Sequence, residues 1–234
     1  MLFSKVNYRL VFNQYCVLCR LHPAQINGVC EGCHQDLPWL LFPCPRCGQT
    51  RRTPNAPCHS CDQQHYAFDF ALAAFEYRFP LNAILPLIKQ RHSLHHLGWL
   101  SRLLAEKIKD NELTLPDSIL PVPMHLLDEL RRGYNQAAIL SEQLGKHLSL
   151  PVQYDALIKS KRTPHQHNLK ATQRRANLQG AFQLKRSLPS HIALVDDVMT
   201  TGSTLNELAR LLKKQGVSRV DIWVLARTPE PDID

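Results

Sequence analysis

Two adjacent carboxylates, Asp196 and Asp197, are followed within a few residues by Thr200, Thr201, Gly202, Ser203 and Thr204. The acids accept hydrogen bonds and carry negative charge, so they suit sugar hydroxyls or the waters of a bound magnesium ion and not a phosphate. The hydroxyls and amides after them are donors. Gly202 lets backbone come close to an anion, and the amides from Thr200 to Thr204 can converge on one as a nest. A helix starting there adds its positive dipole end, about 0.3–1 kcal/mol for a nearby anion. A ligand with a phosphate at one end and a diol a few ångströms away satisfies both halves. A buried strand followed by an ordinary Ser/Thr-capped helix is the plainer alternative, but caps do not call for two acids at a strand tip.

The elements that must position this turn are legible around it. Ile192 to Val195 is an apolar run of the length of a buried parallel strand. Leu205, Leu208, Ala209 and Leu212 recur at helical spacing, with Lys213 and Lys214 in the last turn and Gly216 just beyond. In an open parallel sheet, ligands lie beyond the carboxyl ends of the strands, where this turn would fall. Neighbouring strand residues point to opposite faces. Both aspartates are therefore expected to meet one sugar only if the strand stops between or just after them.

All eight cysteines form CxxC pairs: Cys16/Cys19, Cys30/Cys33, Cys44/Cys47 and Cys58/Cys61, each starting fourteen residues after the last. Such a pair grips one metal from a tight knuckle, and two knuckles complete a tetrahedral S4 site. Two structural zinc ions are expected; a single zinc, disulfides or a redox pair are the alternatives. Sequential pairing needs only ten-residue hairpins between knuckles and is favoured over interleaving. Residues 1–66 hold too little apolar content for a core, so metal must fold them, at on the order of 10–16 kcal/mol per structural site.

Residues 67–234 are expected as a second domain. Ala71 to Phe79 reads as an edge strand, Leu81 to Gln90 and Leu97 to Lys109 as helices, and Ile119 to Val122 as a strand. Asn135 to Leu148 reads as a helix, Gly180 to Leu184 as a strand and Val220 to Ala226 as the closing strand. Strands alternating with helices argue for an α/β fold with a parallel sheet. Two more segments could join the site. Pro121-Val122-Pro123, then Arg131-Arg132-Gly133 and Tyr134-Asn135-Gln136, reads as a strand end, an Arg-Arg-Gly loop and a helix start. These could offer guanidinium forks and free amides to pyrophosphate, or could be a surface arginine pair beside a cap. Lys159 to Arg186 carries eight basic residues, and no acid occurs between Asp155 and Asp196. Such a run is commonly a solvated face.

VDDVMTTGST resembles the phosphoribosyl-pyrophosphate (PRPP) motif of type I phosphoribosyltransferases. PVP…RRGYNQ, together with Arg162-Thr163-x-x-Gln166 and then Arg174, Asn177 and Gly180-Ala181-Phe182, extends the resemblance over the whole chain to the ComF family. The resemblance implies a parallel-sheet, type I phosphoribosyltransferase-like core joined to a small N-terminal double zinc ribbon. It implies that Asp196 and Asp197 hold the ribose hydroxyls as the catalytic carboxylates, and that Thr200 to Thr204 wrap the 5′-phosphate. Arg131, Arg132 and Gly133 would contribute to PRPP binding. Arg162, Thr163, Gln166, Arg174 and Asn177 would belong to a loop that closes over PRPP and its Mg2+. The implied role is in natural transformation or use of external DNA, with single-stranded DNA and a protein of the competence machinery as partners. An active phosphoribosyltransferase of nucleotide salvage or biosynthesis is the rival. Its base-reading hood is not expected after Ala226, where only eight residues follow in this sequence.

Composition narrows the setting. The formal charge is +8, but each Zn(Cys)4 centre contributes about −2, leaving +4. No stretch approaches the ~20 apolar residues of a membrane span. The opening residues lack the apolar core of a signal peptide, so the cytoplasm is the expected location and no membrane insertion is expected. Within the basic segment Phe182 alone could stack on a base, so single-strand contact is expected to lean on Arg46, Arg51, Arg52, Trp39 or Tyr134. Lys89 is a weaker candidate for the phosphates, and His92, His95 and His96 read as a surface cluster.

Overall fold

The computed structural model describes residues 15–51, 53–56, 58–89, 93–162 and 180–229. Packing divides the chain into two compact units, Met1–Leu37 and Pro38–Asp234. In the smaller unit, Asn27 and Gly28 both take positive φ (50° and 96°) between the bridged pair Ile26 and Val29. A type I′ hairpin turn demands left-handed φ at both central residues, which Asn-Gly supplies. Helix α1 (Glu31–Gln35) starts directly after Cys30.

In the larger unit, α2 (His59–Gln63) likewise starts directly after Cys58. Strands β1 (Phe70–Glu76), β2 (Ser118–Pro121), β5 (His191–Met199) and β6 (Arg219–Arg227) form an all-parallel sheet in the order β1-β6-β5-β2. Ile192 to Val195 and Val220 to Ala226 are almost wholly buried, as strands covered on both faces must be. The expected helices are present as α3 (Leu81–Ile88), α4 (His95–Asp110) and α6 (Gln136–Leu148). Helix α7 (Ser203–Lys214) follows the hydroxyl-rich turn and buries Leu205, Leu208, Ala209 and Leu212 against the sheet. Each of those leucines contributes roughly 1.5–3 kcal/mol by leaving water.

Three features differ from the sequence expectation. Gly180–Leu184 does hold a strand, β4 (Phe182–Leu184), but β4 pairs antiparallel with β3 (Leu157–Lys159) in a separate two-stranded sheet. Arg131 and Arg132 end a short helix, α5 (Leu126–Arg132), which Gly133 terminates at φ 87°, so the pair does not lie in a loop. Residues 38–66, which composition groups with the first cysteines, pack with the sheet, because Leu40, Cys44, Cys47 and Tyr66 enter its core. Among the described residues no helix is long and apolar enough to cross a membrane.

Candidate functional site

The ladder between β5 and β6 runs through the acidic pair and on to Met199, with Asp196 opposite Val224 and Met199 opposite Arg227. The strand therefore does not stop at the aspartates, contrary to expectation. Their carboxyls meet by another route. Asp196 Oδ1 accepts from the Asp197 amide at 2.8 Å and Asp197 Oδ1 from the Val198 amide at 3.0 Å, so both side chains bend along the strand toward its tip. Burial, and then the charge of Asp197, push the Asp196 carboxyl well above the usual carboxylate range, and the two side chains interact directly. An ionised pair this close needs positive charge or donors nearby.

Two lysines supply it from different elements. Lys89, just past α3, places Nζ 3.2 Å from Asp197 Oδ2. Lys159, the last residue of β3, is lowered by burial and raised again by Asp128 and Asp196, whose charges it feels. Lys159 was visible in the sequence only as the start of a basic run; its place at the end of β3, where it feels the charge of Asp196, depends on the β3–β4 pairing.

The turn after β5 opens α7 without a side-chain cap. Thr201 Oγ1 and Ser203 Oγ lie 2.8 Å apart. Thr200 is exposed, Thr201, Ser203 and Thr204 are half-buried, and Gly202 is buried at φ 72°. A Cβ on Gly202 would fall 2.5 Å from Met199 Cε and 3.4 Å from Tyr66 Cε1, so the methionine tip would have to move, and the left-handed φ itself favours glycine. Arg227, 3 % exposed, donates from Nη1 to the carbonyls of Met199 and Thr200 and holds the entry to the turn. Gln64 Nε2 donates to the Thr201 carbonyl at 3.4 Å. Neither Arg227 nor Gln64 carried any signal in the sequence, since each acts on backbone.

The cysteines gather into two groups in sequential order, Cys16/Cys19/Cys30/Cys33 and Cys44/Cys47/Cys58/Cys61, each with its sulfurs within 4.8 Å of one another. Cys19 and Cys30 sulfurs are 3.8 Å apart, Cys44 and Cys61 3.7 Å, and Cys47 and Cys58 3.4 Å. A tetrahedron with zinc–sulfur bonds of 2.3 Å has edges of about 3.8 Å, so both groups fit a zinc ion, and none of the eight cysteines is in a disulfide. The sulfurs oppose one another electrostatically. Burial raises Cys16, yet the amides of Cys19, Cys30 and Leu18 outweigh it and bring the thiol to about 6. Burial and then the Cys30 sulfur push Cys33 up to about 12. A divalent cation resolves that conflict.

Residues 104–233 match the phosphoribosyl transferase domain family. Over 230 residues the chain is 38% identical to Competence protein F of Haemophilus influenzae, a match covering 92% of this chain and 98% of that protein. The chain belongs to the ComF family. It is also 32% identical to the DNA utilization protein YhgH of Salmonella typhimurium and 33% identical to YhgH of Escherichia coli, in each case over 91% of this chain and 96% of the relative. Its fold is a parallel-sheet phosphoribosyltransferase-like core with a cysteine-rich N-terminal region that fits a pair of zinc sites.

Within this ComF-family chain the other candidates fall into three groups. Arg131 is exposed, and Arg132 Nη1 donates to Gln136 Oε1 at 2.6 Å. Arg162 pairs with Asp128 at 2.9 Å, while Thr163, Gln166, Arg174, Asn177, Arg52 and His92 lie outside the described residues. Several residues expected to meet nucleic acid are engaged inside the protein. Arg46 donates to the Tyr66 carbonyl at 2.7 Å, and Arg51 to the carbonyls of Phe42, Pro43 and Ala56. Trp39 packs on Phe75, and Tyr134 donates to the Ile88 carbonyl. His96 is buried and its Nδ1 accepts from Trp99 Nε1 at 3.0 Å, so the histidines are not simply a surface cluster.

Proposed function

We propose that this chain binds PRPP or a close phosphorylated ribose with Mg2+ at the tip of β5, and acts in the cytoplasm in the use of incoming DNA. The observation that carries the first half is the interacting Asp196–Asp197 pair, immediately ahead of an uncapped turn whose Thr201 and Ser203 hydroxyls converge. Ribose hydroxyls donate to the carboxylates, and charge-assisted bonds of that kind are about twice as strong as neutral ones. The hydroxyls and first amides of α7 donate to the 5′-phosphate. Two carboxyls bent to one strand tip also suit Mg2+ held through its waters, and the ion supplies charge neutralisation to pyrophosphate oxygens. Lys159 and Lys89 lie where negative charge would gather.

The names of the relatives, competence and DNA utilization, support the second half. Single-stranded DNA needs a basic track for its phosphates. Lys161, Lys185 and Arg186 stand exposed beside β3 and β4 and suit one better than the engaged Arg46 and Arg51. A protein of the competence machinery is the further partner in this proposal.

Calorimetry with PRPP and Mg2+ tests the ligand. Micromolar-range binding that disappears in Asp197→Ala and Thr201→Ala is expected; binding that survives both substitutions would remove the β5 tip from the account. Formation of a nucleotide from any purine, pyrimidine or amine in the same mixture would identify a phosphoribosyltransferase. Reversing Lys185 and Arg186 to Glu is expected to weaken single-stranded DNA binding and flatten its salt dependence, and unchanged affinity would exclude the β3–β4 edge.

A further inference from the structure

The second cysteine group and the phosphate turn share their supporting residues. Arg46 lies inside the first knuckle, between Cys44 and Cys47, and donates to the Tyr66 carbonyl at 2.7 Å. Tyr66 is 5 % exposed, stacks on Phe68, and lies beside Gly202, where an added Cβ would stand 3.4 Å from its Cε1. Gln64, three residues after Cys61 and at the end of α2, donates both to the Tyr66 hydroxyl and to the Thr201 carbonyl. The next amide in line, Ala67, donates to Asn206 Oδ1 at 2.6 Å, and Asn206 lies in the first turn of α7 with 2 % exposure. From Cys44 to α7 the path is continuous: knuckle, Arg46, Tyr66, turn, helix.

We infer that the Cys44/Cys47/Cys58/Cys61 centre is a positioning element for the phosphate turn, so that metal in that centre and a phosphorylated sugar in the turn strengthen each other's binding. This rests on the PRPP reading above and extends it to the region outside the domain match, which starts at residue 104. The physical reason is geometric. α2 starts directly after Cys58 and carries Cys61 at its centre, so a metal that fixes these sulfurs also fixes the end of α2, and with it Gln64 and Tyr66. Without the metal nothing ties the two knuckles to each other, and the turn loses a fixed floor. Coupling between two sites is reciprocal: a ligand that orders the turn must hold the metal more tightly by the same factor.

The test uses the full-length zinc-loaded chain and a chromogenic chelator that reports zinc release. Saturating PRPP with Mg2+ is expected to slow release of one of the two zinc equivalents at least about fivefold. That protection should persist in Cys19→Ser, which removes a ligand of the other centre, and should vanish in Gln64→Ala. Gln64→Ala is also expected to weaken PRPP binding severalfold while keeping both zinc ions, and Tyr66→Phe, which preserves the packing under Gly202, is expected to retain part of the effect. PRPP binding to the wild type with no change in either release rate overturns the inference and leaves the proposed ligand standing. No PRPP binding by the zinc-loaded wild type overturns both.

Discussion

Lys89 Nζ lies 3.2 Å from Asp197 Oδ2, so the acid proposed to meet the sugar is already held by a cation at the end of α3. Asp196, one residue earlier, has its carboxyl pushed up by burial and by Asp197, with Lys89 offsetting part of the push. The pair is therefore asymmetric, with one carboxyl tied to a lysine and the other biased toward its protonated form. That asymmetry sets how the site responds to pH.

Asp196 should make the fold less stable as pH rises. Its folded pKa lies above the unfolded value of about 4, so between the two the native state holds more protons than the unfolded chain. Stability is then greatest below the unfolded value and falls as pH climbs toward the folded one. Thermal unfolding of wild type and Asp196→Asn across this range should give curves that separate with rising pH, the variant being more stable at the upper end. Parallel curves would mean that Asp196 is not strained by its surroundings.

Ligand binding should release the same proton. Sugar hydroxyls and Mg2+ favour the ionised carboxylate, so PRPP affinity is expected to rise with pH through the elevated Asp196 range. Calorimetry in buffers of different ionisation enthalpy measures this directly as a net proton release. Asp196→Asn should abolish the release, and proton uptake instead would contradict the assignment.

Gly202→Ala is expected to cost about 1–2 kcal/mol, because alanine resists left-handed φ. In a domain of this size that corresponds to a fall of roughly 2–8 °C in Tm. Met199 Cε can swing away from the new methyl, and Tyr66 Cε1 at 3.4 Å is left in ordinary contact with it, so the cost falls on the backbone of the turn. Phosphate affinity should fall more than stability does. Equal thermal stability and affinity in the variant would show that the turn tolerates a side chain.

Cys19→Ser should lower the zinc content from two equivalents to one. Structural zinc contributes on the order of 10–16 kcal/mol in small sites, far more than a unit of this size obtains from its core. Residues before Leu37 should then become sensitive to protease while the Pro38–Asp234 unit resists it. Retention of two equivalents would refute the cluster assignment.

Much of this was legible in the sequence because its signals are local. The CxxC spacing announced the sulfur clusters, the apolar runs announced β5 and β6, and the small-hydroxyl turn announced the start of α7. What escaped is non-local or acts through backbone. Lys159 feels the charge of Asp196 only once β3 pairs with β4, and Arg227 serves the turn through carbonyls that any residue could present. Helix α5 escaped for a different reason: it has no buried residue, so LLDELRR shows no core-facing stripe. The pleat led to a sound rule and a wrong outcome at the aspartates, since their side chains bend onto the following amides.

The strand order has a bearing on how the chain is made. β6 lies between β1 and β5, and its pairing with β1 joins Phe70 to Asp221 across most of the sequence. On the ribosome β1 emerges early yet has no neighbour in the sheet until residues 219–227 leave the exit tunnel. An apolar edge must wait throughout that interval, exposed to wrong partners. Premature termination ahead of residue 219 would leave β1 bridged only to Trp39 on its other edge and β5 with one flank bare, so a truncated product should aggregate rather than persist as a smaller folded fragment.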